Sequence, residues 1–372
     1  MGCRRSLAVA IGFLAVALFA APAGAEGPFR QALPGYEYRF PRDFFSHDDY
    51  RIEWWYYTGN LKDKSGRAFG YQLTFFRVGL EGAHEIPNPS TWAVRQIYFA
   101  HLTVSDIAGE KFYFFERINR KGLVQAGAES DRLLVWNENW RLTEENGAHR
   151  LTAMEAGTGV DLLLKPAKPL VFHGKGGISR KGDKPGSASH YFSYTRMPTA
   201  GTVSIAGRAY EVEGTSWMDR EFSSSALDAE LAGWDWFSLK LDSGHELMLY
   251  QLRRQGGGTS PYSSGTRVEP GGAARHLARE EFSIVPTDTW TSPNSQITYP
   301  SGWLIELPGE GARLEIVPEF EAQELYDLRS ISGAYWEGSV RVTGTFAGRR
   351  ILGRGYVELV GYGRPLVRNL PG

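Results

Sequence analysis

Apolar and polar residues alternate along this chain far more often than they recur at helical spacing. Residues 67–77 (RAFGYQLTFFR) place Phe69, Tyr71, Leu73 and Phe75 on one face of an extended segment. Similar short runs follow at 97–104, 111–116, 132–136, 140–143, 149–154 and 160–164. Turn signals such as Asn146-Gly147 and Gly157-Thr158-Gly159 separate them. Residues 174–186 (GKGGISRKGDKPG) read as an exposed loop, and strands resume at 190–196 and 201–212. Short, regularly spaced strands predict an all-β chain of barrels or sandwiches. The best candidate for a helical turn is ALDAELA, within residues 219–233, where a linker would lie.

After that segment the pattern restarts. Residues 54–77 and 234–253 both open with a Trp-rich strand, turn at Ser-Gly and return through Tyr-Gln-Leu. Trp55 precedes Tyr71 by the same interval as Trp234 precedes Tyr250. This self-similarity predicts two copies of one β-domain, at 26–218 and 234–372, joined by a linker at 219–233. Residues 255–272 read as a loop in the second copy, and residues 335–362 as its closing strands.

The N-terminus adds a compartment. Arg4 and Arg5 precede an apolar run from Leu7 to Ala21, followed by Ala23-Gly24-Ala25. That order predicts a signal peptide over 1–25, cleaved before Glu26, and a periplasmic or secreted mature chain. The apolar run is shorter than the ~20 residues of a membrane span, so no lasting membrane anchor is expected. The single cysteine, Cys3, leaves with the signal peptide, so disulfides are excluded. A formal charge of −1 gives no electrostatic reason to expect nucleic acid. The chain holds 44 glycines, above the usual ~7%, which suits a fold rich in turns.

No G-x-S-x-G elbow, H-E-x-x-H helix or Walker loop is present. The eight histidines show no close pair at ligand spacing, so no metal is expected. Three clusters remain. In residues 47–59 (HDDYRIEWWYYTG), Glu53 stands beside Trp54 and Trp55; it reads either as a solvated residue opposite a tryptophan core or as part of a site. In residues 189–196 (SHYFSYTR), His190, Phe192 and Tyr194 alternate onto one face. In residues 213–222 (EGTSWMDREF), four ionisable groups flank Trp217 and Met218. They read as an ion-paired crossover or as a carboxyl in an aromatic pocket, where burial would raise its pKa.

These residues carry a resemblance. EWWYYTGNL, GYQLTFFR, SHYFSYTR, GTSWMDREF, GWDWFSLKL and YWEGSVRVTG, in this order across 37–365, resemble the secreted branch of the carotenoid 1,2-hydratase (hydroxyneurosporene synthase) family. The resemblance implies two tandem lipocalin-like antiparallel β-barrels, in agreement with the internal repeat. It also implies that His190 with Phe192, and Trp217 with Asp219, match the family's His-x-aromatic and aromatic-x-Asp pairs. Phe192 stands where the hydratases have Trp, and Trp217 where they have Tyr. Related lipocalin-like proteins resemble pericyclases, so the scaffold suits apolar substrates without fixing the reaction.

The matching residues suit hydration of an isolated C=C bond. Protonating carbon needs a strong acid held protonated near neutral pH, the expectation for Asp219. His190 is expected within about one water of it, orienting it or activating water. The faces of Trp217, Phe192 and Trp55 would stabilise the cation, with Tyr194, Trp54 and Glu53 completing the substrate site. No cofactor is needed. The expected partner is an apolar, lipid- or isoprenoid-like small molecule. Two other readings stand beside this one: a non-catalytic carrier, and a secreted hydrolase, for which the sequence offers no nucleophile–base pair.

Overall fold

The computed structural model describes residues 29–80, 94–122, 124–224, 227–331 and 333–363. The predicted signal peptide lies outside them. Among the described residues no helix is long and apolar enough to cross a membrane.

Thirteen strands make the first sheet: β1 (Ile52–Asp63), β2 (Ala68–Gly79), β3 (Gln96–Asp106), β4 (Lys111–Arg120), β5 (Ala126–Ala128), β6 (Leu134–Asn137), β7 (Trp140–Glu145), β8 (Ala148–Glu155), β9 (Thr158–Leu164), β10 (Val171–Phe172), β11 (Ile178–Arg180), β12 (Ala188–Ile205) and β13 (Arg208–Ser223). The path runs β4-β3-β2-β1-β13-β12-β9-β8-β7-β6-β5, with neighbours antiparallel. Side chains draw its ends together: Arg117 on β4 donates to the Asn137 carbonyl at 3.0 Å, and Asn119 donates to the Asn137 side chain at 2.7 Å. The sheet is thus a nearly closed barrel.

The second half holds β14 (Leu231–Leu241), β15 (Glu246–Arg254), β16 (Ser264–Val268), β17 (Ala274–Leu277), β18 (Ser283–Pro286), β19 (Thr289–Thr291), β20 (Thr298–Pro300), β21 (Trp303–Leu307), β22 (Ala312–Pro318), β23 (Glu324–Leu328), β24 (Gly333–Phe346) and β25 (Arg349–Val360). Its sheet runs β17-β16-β15-β14-β25-β24-β22-β21-β18, and β19 pairs with β20 apart from it. The order around β14 repeats the order around β1, so each half opens with a hairpin flanked by that half's last strand. The fold is all-β with two tandem lipocalin-like halves, as the sequence predicted.

Two details differ from expectation. The Trp55–Trp234 correspondence finds the right strands in the wrong register. Lys62 pairs with Ala68 at the first turn and Lys240 with Glu246 at the second. Counted back from those turns, Trp234 matches Tyr56, whereas Trp55 lies on the opposite face of its strand. A slip of one residue exchanges the two faces of a strand. The second difference is the linker: residues 219–223 belong to β13, and the crossing between sheets falls at 224–230. Its described residues form a turn, not a helix. The predicted strand at 201–212 is likewise divided, by a turn at Ala206-Gly207 with both residues at positive φ.

Three apolar clusters organise the molecule. One fills the first barrel with Trp55, Tyr57, Leu73, Trp140, Phe192, Met218 and Phe222. A second fills the second half around Phe237, Leu249, Trp303 and Trp336. The third lies between the halves and contains Tyr56, Tyr191, Trp217, Trp236, Met248 and Tyr250. Strands β1, β12 and β13 therefore bury both faces, which is why IEWWYYTG shows no polar alternation. Gly70 permits the close approach of the halves: a Cβ there would lie 2.9 Å from the Ser339 Cβ.

Candidate functional site

A cavity of about 340 Å³ lies between the two halves. That is within the size range of small-molecule sites. The outer faces of β1, β2, β3, β12 and β13 form one wall, and β14, β15 and β25 form the other. The lining is rich in aromatic rings, among them Trp54, Phe76, Phe99, Trp234 and Trp236, with Phe76 stacked on Phe99 at 4.4 Å.

Asp219 is one of three carboxyls on the lining of this cavity, with Glu221 and Glu358. It is 4% exposed and forms no ion pair among the described residues. Trp217 Nε1 donates to its Oδ1 at 2.6 Å and the Tyr191 hydroxyl to its Oδ2 at 2.8 Å, while the Ser193 hydroxyl also bonds Oδ1. These donors favour the carboxylate. Burial without a counter-cation outweighs them and pushes the Asp219 pKa up to about 7, with the charge of Glu221 adding to the rise. Behind Asp219 the polar contacts continue: Trp236 Nε1 donates to the Tyr191 hydroxyl at 3.1 Å, and His173 Nε2 lies 2.7 Å from Ser193 Oγ.

The second half supplies two further carboxyls. Glu358 lines the cavity and stands opposite Glu337 across β24 and β25. Tyr56 donates its hydroxyl to Glu337 Oε1 at 2.6 Å, and Trp234 Nε1 bonds Glu358. Burial raises the pKa of both, Glu337 well above the usual carboxylate range, where the facing charge of Glu358 adds to the rise. By contrast, Glu221 on the cavity lining is ion-paired to Lys181, whose ammonium also lies 5.2 Å from the Trp54 ring centre.

The eight residues singled out from sequence divide between two faces. Asp219 and Trp54 line the cavity, and Trp217 supports Asp219 from beside it. His190, Phe192, Tyr194, Glu53 and Trp55 are directed into the first barrel instead. His190 pairs in register with Phe222, whereas Asp219 pairs with Ser193, so their side chains leave the sheet on opposite sides. This overturns the expected His190–Asp219 contact. His190 lies 3.1 Å from the Tyr50 hydroxyl, packs on Tyr36 and Phe222, and has its pKa lowered by burial to about 4.

Glu53 is not solvated. It is fully buried, ion-paired to Arg77 and Arg220, and accepts the His47 backbone N–H at 3.1 and 3.0 Å. The Arg220 guanidinium also lies over the Trp55 ring at 4.0 Å. Sequence reasoning missed Tyr191, Ser193 and His173, and the Glu337–Glu358 pair. The first two are in SHYFSYTR, on the alternate positions to those chosen.

The sequence model of the AttH-like family matches residues 31–362. Among solved structures, a protein assigned as AttH from Nitrosomonas europaea is 34% identical, with a TM-score of 0.81, covering 90% of this chain and 100% of its own. Kievitone hydratase from Nectria haematococca shares the fold at 15% identity and a TM-score of 0.68, covering 91% of this chain and 99% of its own. CghA does so at 11% identity and 0.55, covering 91% and 96%. None of the curated proteins matches.

Proposed function

The chain belongs to the AttH-like family, the lipocalin-like family its motifs resemble, and from that premise we propose an exported protein that hydrates an isolated C=C bond of an apolar, isoprenoid-like molecule, with Asp219 as the acid. The observation that carries this reading is a buried carboxyl without a cation, poised near neutral pH on the wall of an aromatic cavity. A kievitone hydratase with the same fold is consistent with it. Export rests on the N-terminal sequence pattern.

The steps balance in protons. Asp219 transfers its proton to the alkene carbon and becomes a carboxylate. The resulting cation faces Trp54, Trp234 and Trp236, each worth roughly 0.5 to 2 kcal/mol in cation–π attraction. Water adds to the cation and gives its proton to the Glu337–Glu358 pair, whose shared charge leaves one acceptor site. Trp217 fixes the Asp219 carboxyl. The substitution of Phe for Trp at 192 does not touch this cavity, so it bears on the first barrel's packing and not on the substrate.

The hydrolase reading has less support. Ser193 and His173 are in hydrogen-bond contact, but Asp219 bonds the serine and not the histidine, and Ser193 does not line the cavity. A serine nucleophile needs the opposite arrangement, with the acid orienting the histidine.

The test is incubation of the purified protein with linear isoprenoid alkenes in oxygen-18 water, read by mass spectrometry. Wild type is expected to yield the labelled alcohol, and Asp219→Asn to lose 10²–10⁴-fold in turnover with binding retained. Equal binding with turnover in neither protein would overturn the hydratase and leave the carrier.

A further inference from the structure

Each turnover leaves Asp219 ionised in a cavity walled by aromatic rings, so the acid must be reloaded. On the reading of Asp219 as the acid, we propose that His173 is a positioning residue that reloads it: a tautomeric relay passing protons from Thr266, on the second half, through Ser193 to Asp219. His173 follows β10, is fully buried, and packs against Tyr191 with ring centres 4.2 Å apart and planes tilted by 42°. Its Nε2 lies 2.7 Å from Ser193 Oγ, and its Nδ1 lies 2.8 Å from Thr266 Oγ1 on β16. Ser193 in turn bonds Asp219 Oδ1.

This chain has two self-consistent arrangements. When Asp219 is ionised, Ser193 donates to it, His173 Nε2–H donates to Ser193, and Nδ1 accepts from Thr266. When Asp219 is protonated at Oδ1, every bond reverses: Asp219 donates to Ser193, Ser193 to Nε2, and Nδ1–H to Thr266 Oγ1. The hydroxyls and the imidazole can reverse; Trp217 Nε1 can only donate, so it holds the carboxyl in both states. Passing from the first arrangement to the second moves one proton along each link. The net change is one proton gained at Asp219 and one supplied to Thr266, which is itself buried, from beyond the relay.

The histidine stays neutral throughout, because burial and the nearby His276 hold its pKa down to about 3. It therefore relays by exchanging tautomers, not by carrying charge. Thr266 pairs in register with His276 on β17, a partly exposed residue whose buried Nδ1 has no hydrogen-bond partner. The register places this partly exposed imidazole beside the last hydroxyl of the relay. The other groups facing the path are Tyr191 against both His173 and Asp219, and Glu221, Tyr56 and Glu337 around Asp219.

The relay is testable without a substrate. In full-length protein carrying nitrogen-15 histidine, the His173 ring nitrogens are followed by NMR from about pH 5 to about pH 9. Infrared spectroscopy of the carboxyl, with Asp219→Asn as the reference, follows Asp219 in parallel. His173 is expected to change from the Nδ1–H to the Nε2–H tautomer at the pH where Asp219 ionises, and never to become imidazolium. In Ser193→Ala the His173 tautomer is expected to stay constant while Asp219 still titrates. If wild-type His173 keeps one tautomer while Asp219 titrates, the relay is overturned and the acid stands. If Asp219 is ionised over the whole range, both are overturned.

Discussion

The two faces of the sheet formed by β12, β13 and β1 use similar residues to opposite ends. On the inner face Glu53 is fully buried among Trp55, Phe222 and Tyr50, and on the outer face Asp219 is buried among Trp217, Trp236 and Tyr191. Both carboxyls lose their hydration. Glu53 has Arg77 and Arg220 against its two oxygens, and they hold its pKa well below the usual range despite burial. Asp219 has only neutral donors, and burial prevails. Burial alone therefore does not raise a carboxyl's pKa; withholding the cation does.

The sharpest way to break this contrast is to remove the cation. Arg220→Met strips Glu53 of one partner and orphans the Phe45 and Trp54 carbonyls that Arg220 serves. Loss of one member of a buried pair costs about 3 to 5 kcal/mol. Chemical denaturation is expected to show that loss at pH 7, and a change under 1 kcal/mol would mean the pair is not buried as described.

The next effect is a pH dependence of opposite sign on the two faces. Asp219 has a raised folded pKa, so its stabilising share is complete below its unfolded value of about 3.9 and is lost as pH rises toward about 7. Glu53 has a depressed folded pKa, so its share is present above about 4.3 and lost as pH falls further. Asp219→Asn removes only the first slope. Its melting temperature relative to wild type is expected to climb between pH ~4 and ~7 and then level off. A difference independent of pH would show that Asp219 ionises normally.

The smallest effect belongs to His190. On the inner face it makes one hydrogen bond, to Tyr50, so His190→Phe is expected to cost about 1 kcal/mol in stability and to leave turnover within a few-fold. A loss of 10²-fold in turnover without unfolding would place His190 back in the chemistry.

Much of the fold was legible. The alternation in RAFGYQLTFFR and the Asn-Gly and Gly-Thr-Gly turns place β2 and the β7–β9 meander to within a few residues. Half of the site was legible as well. The segment around Asp219 stood out because a solvated charge run usually lacks Trp and Met at its centre, and the family resemblance singled out Asp219 within it. Glu337 and Glu358 were not legible, since a lone glutamate in an aromatic strand looks alike whether it faces solvent, an arginine or another carboxylate. Their partners lie on other strands.

The amino-acid sequence by itself determined the strands, the repeat and the chemistry available in each segment, because these follow from local periodicity and composition. Only the tertiary structure decided which side chains share a site. The hairpin of β12 and β13 shows the reason in one residue. Near its turn Ile205 pairs with Arg208, and continuing that register would set His190 opposite Ser223, on the face of Asp219. Between Tyr194 and Met197 the register shifts by one residue, so His190 pairs with Phe222 and turns into the barrel. Nothing in SHYFSYTRM marks where the extra residue is absorbed. That is set by the packing of the two faces once both are buried, and it separates an interior histidine from the acid it was expected to serve.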